Sequence, residues 1–131
     1  MNVFLDSSAI ISYLKGDEKV REVIESADEV FTSSICAFET LVGESYARIK
    51  KFRSGNEASA FLEGTVIVPF NEKDAELAAE AQAKLVAKGT TQNAIDVLIA
   101  ASAARSNIEI VTKDRDYDAI QEVMNLRVKK I

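Results

Sequence analysis

Asn2-Val3-Phe4-Leu5-Asp6-Ser7-Ser8 is an apolar run that ends on a carboxylate and passes at once into two hydroxyl residues. It reads as a strand feeding the helical turn Ile10-Ile11-Ser12-Tyr13-Leu14, the first half of a strand-helix unit. In an open parallel α/β sheet, ligands and catalytic groups collect outside the carboxyl ends of strands where the strand order reverses. A central first strand puts Asp6 at such an end. Two roles stay open for it at this point, a site carboxylate and an N-cap of the helix that follows, since Asp and Ser both cap well.

The same unit recurs along the chain. The helix over 8–15 stops at Gly16, and Asp17 caps a second helix carrying Val20, Val23 and Ile24. Val30-Phe31-Thr32 is a short strand, and Ser33 or Ser34 starts a helix running from about Ile35 to Lys51. After the turn at Ser54-Gly55-Asn56 come a helix over 57–63, a strand over 65–68, and a helix from Asn71 and Asp74 to Gly89. The packing face of that last helix is Ala75, Ala78, Ala81, Leu85 and Val86. Asn93 then caps an almost wholly apolar helix, Ile108 to Val111 is a strand, a final helix bears Ile120 and Val123, and Leu126-Arg127-Val128 suits an edge strand. This succession predicts one α/β domain over 1–131, three layers α/β/α around a mainly parallel sheet.

With 131 residues, 47% of them hydrophobic, the chain can bury a proper core. No apolar run reaches the ~20 residues of a membrane span and no basic-then-apolar leader opens it, so no membrane and a cytoplasmic location are the expectation. The lone Cys36 reads as packing. The absence of histidine removes Ser-His-Asp and Cys-His mechanisms and nearly all imidazole zinc sites. Hydrolytic chemistry would have to run on carboxylates, hydroxyls, lysine or a hard metal held by oxygens. A net charge of -5 argues against a polyanionic partner unless several acids are metal ligands, because the ion cancels their charge.

Three further acids stand where a charge is expensive unless something binds it: Glu39, Asp96 and Asp114. Setting Ile35 at zero on a helical wheel places Val42 at about 340°, Tyr46 at about 20°, Ile49 at about 320°, Phe38 at about 300° and Glu39 at about 40°. Glu39 thus falls inside the apolar stripe and away from Glu44, Arg48 and Lys51, which leaves a ligand role or a buried salt bridge. Asp96 is the only acid of its helix. It sits at the third position, where it either favours the helix dipole or points out of the helix end towards an ion. Asp114 follows the strand over 108–111, with Asp116 and Asp118 better placed to cap the last helix. Arg48, Lys50, Lys51 and Arg53 form a basic helix end, a phosphate contact or a solvated terminus favoured by the dipole. In a parallel sheet Asp6, Glu39, Asp96 and Asp114 fall on one edge, where one or two Mg²⁺ or Mn²⁺ ions would satisfy them and activate water for a phosphodiester displacement.

Phe4-Leu5-Asp6-Ser7-Ser8-Ala9-Ile10-Ile11, Ser33-Ser34-Ile35 through Phe38-Glu39, Ile95-Asp96-Val97-Leu98-Ile99-Ala100-Ala101 and Val111-Thr112-Lys113-Asp114-Arg115-Asp116-Tyr117, in this order, resemble PIN-domain ribonucleases, particularly the VapC toxins of toxin-antitoxin pairs. The resemblance covers essentially the whole chain. It implies metal ligation by Asp6, Glu39 and Asp96, with Asp114 completing the site and Asp116 assisting. It also implies Mg²⁺- or Mn²⁺-dependent RNA cleavage leaving 5′-phosphate ends, a homodimer, and inhibition by an antitoxin. Thr112 matches a hydroxyl position beside the site, and Ser7 stands where many members carry threonine. A haloacid-dehalogenase phosphatase wants a second Asp where Ser8 stands, and a response-regulator receiver wants a phospho-acceptor Asp that the stretch 65–70 does not offer. The alternative is a catalytically silent PIN-like binding or scaffold module, against which the presence of all four acids argues.

Overall fold

β1, Asn2–Leu5, occupies the centre of a five-stranded sheet. A computed structural model describes residues 1–52 and 55–131, so Arg53 and Ser54, and with them one of the four expected basic contacts, lie outside the described residues. Along the chain β1 is followed by α1 (Ser7–Leu14), α2 (Glu18–Ser26), β2 (Glu29–Ser33), α3 (Ser34–Ile49), α4 (Glu57–Glu63) and β3 (Val66–Val68). Then come α5 (Glu72–Ala87), α6 (Ala94–Ser106), β4 (Glu109–Thr112), α7 (Tyr117–Gln121) and β5 (Val128–Lys130).

The sheet order is β3-β2-β1-β4-β5 and every pairing is parallel, with Phe4 opposite Phe31 on one side and Ile110 on the other. The chain winds outward from β1 through β2 to β3, then crosses back to lay β4 on the opposite flank. The order therefore reverses between β1 and β4, and the crevice beyond their carboxyl ends is the ligand position of such a sheet. Helices α1 to α4 pack on one another, as do α5, α6 and α7, giving the three-layer α/β/α arrangement. Val3, Phe4 and Leu5 are all buried, the unbroken apolar run of a parallel strand covered on both faces, and Ile10, Ile99, Ile110 and Ile120 close around them.

Two boundaries come out as read: Asp17 caps α2 through Lys19 and Val20, and Asn71 and Asp74 make a reciprocal capping box; Asn107 ends α6 in the left-handed conformation. Two faces do not. The packing face of α5 is Asp74, Ala78, Ala81 and Leu85, and Val86 is 65% exposed. The stripe of α3 is turned outward, with Phe38 67%, Val42 49%, Tyr46 55% and Ile49 76% exposed. What α3 buries is the opposite face, Cys36, Ala37 and Thr40, and the Glu44 carboxylate turns inward to accept from Ser59 of α4. Small side chains there let α3 lie close to α1 and α4, and the bulky apolar residues are left over. Last, β5 begins two residues later than expected, at Val128, because Leu126 is used to pack the core.

Candidate metal centre

Asp6 ends β1 and caps α1 at once, so the two readings of it coincide in space. Its Oδ1 accepts from the Ala9 backbone N–H at 2.9 Å and from Ser8 Oγ at 2.7 Å, and its Oδ2 accepts from Thr112 Oγ1 at 2.5 Å. The residue is 3% exposed. Burial raises its pKa above the ordinary carboxylate value against the pull of those three donors, with the charge of Asp114 adding to the rise.

Beside Asp6 the turn after β4 meets the start of α6. Asp96, Asp114 and Asp116 each offer a carboxylate oxygen, all within 4.8 Å of one another. Asn93 supplies the side-chain cap of α6 by accepting from Ile95 N, which leaves the Asp96 carboxylate free to leave the helix end. Asp114 is set by its own N–H donating to Thr112 Oγ1 at 2.9 Å, and the Asp116 N–H donates to Asp114 Oδ1 at 3.0 Å. Asp116 was expected to cap the final helix. It holds that position but makes no capping bond, because its side chain belongs to the acidic group instead. Burial, then the charges of Asp114 and Asp116, a hydrogen bond with Asp116, and Asp6 push the Asp96 pKa up to about 7.

Glu39 stands one step away. It is half-buried on α3, its Oε1 accepts from Ser7 Oγ at 2.5 Å, and it lines a cleft of about 250 Å³ between α1, α3 and α4 together with Ile11, Leu14, Thr40 and Gly43. Ser7 thus ties Glu39 to the backbone beside Asp6. Glu39 lies outside the three converging carboxylates, as does Asp6, whose charge nonetheless reaches Asp96. Arg48, Lys50 and Lys51 are exposed at the other end of α3, Lys50 lying roughly 16 Å along the axis from Glu39. Arg48 pairs with Glu44 at 3.6 Å. Arg48, Lys50 and Lys51 therefore stand at the far end of α3 from Glu39.

Two residues that the sequence did not single out as site members stand at this edge. Ser8 donates to Asp6, sits 3.3 Å from Thr112 Oγ1, and accepts from the Lys113 N–H at 3.1 Å, joining α1 to the turn after β4. An Asp followed two residues on by Ser is a local hydrogen-bonding pattern, so a signal was there. Tyr117, the first residue of α7 and next to Asp116, is buried, and its type alone reads as core.

The donor set consists of carboxylate oxygens with hydroxyl support and no imidazole or thiolate. It suits a hard divalent cation such as Mg²⁺ or Mn²⁺. Carboxylates this close also repel, and only a proton or a cation relieves them.

Residues 3–123 match the protein-family model described as PIN domain. No curated protein matches the sequence. Among solved structures, the fold is similar to a chain of VapBC2 from Rickettsia felis bound to a promoter DNA fragment, at TM-score 0.77, 21% identity and coverage of 99% of this chain and 98% of that one. DNA-bound VapBC from Salmonella typhimurium gives TM-score 0.77 at 19% identity over 99% and 98%. Mycobacterium tuberculosis VapC20, a toxin that cleaves the Sarcin-Ricin loop, gives 0.58 at 18% over 95% and 98%.

Proposed function

The chain belongs to the PIN-domain family, and from that premise we propose that it is a VapC-type toxin, an endoribonuclease that depends on Mg²⁺ or Mn²⁺ and is restrained by an antitoxin. The observation that carries this reading is the convergence of Asp96, Asp114 and Asp116 beside buried Asp6, at the point where the strand order reverses. Asp6, Asp96 and Asp114 would hold the ion, with Asp116 as a further oxygen donor and Glu39 reached through Ser7. When bound, such an ion activates water for attack on phosphorus and stabilises charge on the leaving oxygen. Thr112 and Ser8 hold Asp6 in one orientation, and Asn93, by taking over the cap of α6, frees Asp96 for the site. Asp6 is enclosed in the protein wall and Asp96 is half open to solvent, so an RNA phosphate would approach from the side of Asp96.

The Rickettsia felis and Salmonella typhimurium structures are of VapBC, another similar structure is a toxin-antitoxin complex from Klebsiella pneumoniae, and VapC20 cleaves the Sarcin-Ricin loop, which supports an antitoxin partner and an RNA substrate here. A homodimer would cover the outward stripe of α3, Phe38, Val42, Tyr46 and Ile49, continued by Phe52. No helix is long and apolar enough to cross a membrane among the described residues, in keeping with action in the cytoplasm.

The test is titration of Mn²⁺ into metal-free protein, wild type against Asp6→Asn, beside cleavage of mixed RNA with and without metal. Metal binding and metal-dependent cleavage, both lost in the variant, are expected. Absence of both from the wild type would leave the chain a binding or scaffold module.

A further inference from the structure

Lys113 and Arg115 lie on the turn after β4, interleaved with Asp114 and Asp116, and both are exposed. Lys130, also exposed, pairs in register with Thr112 across β4 and β5, and the next N–H, from Ile131, donates to the Thr112 carbonyl at 3.0 Å. Neighbouring strands run ~4.8 Å apart, so the backbone of Lys130 stands beside the turn that carries the acids. Three cations thus share the carboxyl edge of the sheet with the acidic group.

Their present partners hold them loosely. Lys113 Nζ donates to Asp17 Oδ2 at 2.6 Å, at the head of α2, and Lys130 Nζ donates to Asp118 Oδ2 at 3.0 Å, in the first turn of α7. These helices belong to opposite layers, so the two lysines are drawn to opposite sides of the turn. Asp17 also accepts from Ser12 Oγ at 2.8 Å and from the N–H groups of Lys19 and Val20, so it can release Lys113 and stay satisfied. Exposed ion pairs of this kind add little to stability. Arg115 is in no ion pair among the described residues, although an acid stands on either side of it in the sequence. Its planar guanidinium suits a phosphate better than any other side chain. The turn itself is fixed, because the Lys113 N–H donates to Ser8 Oγ at 3.1 Å and Ser8 donates to Asp6.

We propose that Lys113, Arg115 and Lys130 are the phosphate contacts that guide the RNA strand across the end of β4 to the metal centre. The inference rests on the metal-dependent reading above and names the surface on which that substrate lies. A bound ion offsets part of the acidic charge that repels RNA, and these cations supply attraction beside it.

The test is the salt dependence of binding, followed by fluorescence anisotropy in Mg²⁺, of a mixed-sequence single-stranded RNA whose phosphorothioate linkages resist cleavage. Replacing all three residues with Gln should make the fall of log K with log salt shallower by about 2, at about 0.7 per contact, while Lys113→Arg with Lys130→Arg should keep the wild-type slope. Mn²⁺ binding by calorimetry should be no weaker in the triple variant, because none of the converging carboxylates is touched. Arg115→Gln alone breaks no ion pair and should lose about 0.7 of the slope, which decides the matter if the triple variant melts early. Wild type that binds metal and RNA, with the wild-type slope kept in the Gln variants, overturns this inference only and leaves the three as solvated surface charges. Wild type that binds neither metal nor RNA overturns the metal-dependent reading and this inference with it.

Discussion

Thr112 Oγ1 donates to Asp6 Oδ2 at 2.5 Å, fastening the end of β4 to the end of β1 under the acidic group, and the same oxygen accepts from the Asp114 N–H at 2.9 Å. One hydroxyl thus orients two of the carboxylates. Thr112→Val preserves shape and removes both bonds, leaving Asp6 with Ser8 and Ala9 as donors. A buried hydrogen bond to a charged acceptor contributes ~1.5–3 kcal/mol, so urea unfolding should show a loss of that order. Metal affinity should fall about tenfold by the same disordering of ligands. Thr112→Ser, which keeps the oxygen, should retain most of both. Equal behaviour of the valine and serine variants would show that packing alone matters at this position.

The raised pKa of Asp96 makes stability fall as pH rises. Unfolded, Asp96 releases its proton near the ordinary carboxylate value of 3.8; folded, it keeps it until about 7. Between those values the native state binds more protons than the unfolded state, so this contribution is fully present below about 4 and lost as pH rises through 7. Metal-free protein should melt higher at pH 5 than at pH 8. Discounted for the solvent reaching half-exposed Asp96, the effect is ~1 kcal/mol, or roughly 4 °C. Asp96→Asn should flatten that slope and raise the pH 8 melting temperature without metal, while abolishing RNA cleavage. Added Mn²⁺ should narrow the gap between pH 5 and pH 8 in the wild type and leave the variant unmoved.

The sheet was legible in the sequence because each strand is a short apolar run closed by turn residues, and because Asp6 marks the end of the central one. Faces were harder. The wheel for α3 found the stripe through Val42, Tyr46 and Ile49, but a wheel reports only that a face is apolar. Whether this chain or another body covers it depends on tertiary packing, here decided by small residues such as Ala37 and Thr40. The acidic group was legible as residue types at strand ends and helix starts. The share between Asp114 and Asp116 was not, since both flank the same turn and only its fold aims Asp116 at Asp96 instead of at its own helix. Tyr117 read only as an aromatic at a core position, since the missing partner of its buried hydroxyl shows only in three dimensions.

The basic end of α3 makes a separate prediction about RNA. Each phosphate neutralised on a single strand steepens the fall of log K with log salt by about 0.7. If Arg48, Lys50 and Lys51 contact three phosphates, replacing all three with Ala should lower the slope by about 2 and weaken binding similarly for every RNA sequence. An unchanged slope would assign them to the solvated helix end, where Arg48 already has Glu44 as a partner.

The outward stripe of α3 makes the last. Phe38, Val42, Tyr46 and Ile49 present bulky apolar groups over most of the helix, and Phe52 extends them beyond its end, stacking edge-on with Tyr46 at 6.2 Å between ring centroids. Isolated exposed apolar residues need no explanation, but a continuous patch of this kind marks a surface that another chain covers. If that chain is a second copy, wild type should scatter light as a dimer at micromolar concentration, and Val42→Glu with Ile49→Glu should scatter as a folded monomer. The two charges would stand in the middle of the buried patch without partners, each costing several kcal/mol on association, yet they would be solvated and harmless in the monomer. Metal binding should survive in the variant, because the acids and the bond from Ser7 to Glu39 are untouched. Wild type that is monomeric at high concentration would leave the stripe to the antitoxin, and the double variant would then fail to bind it.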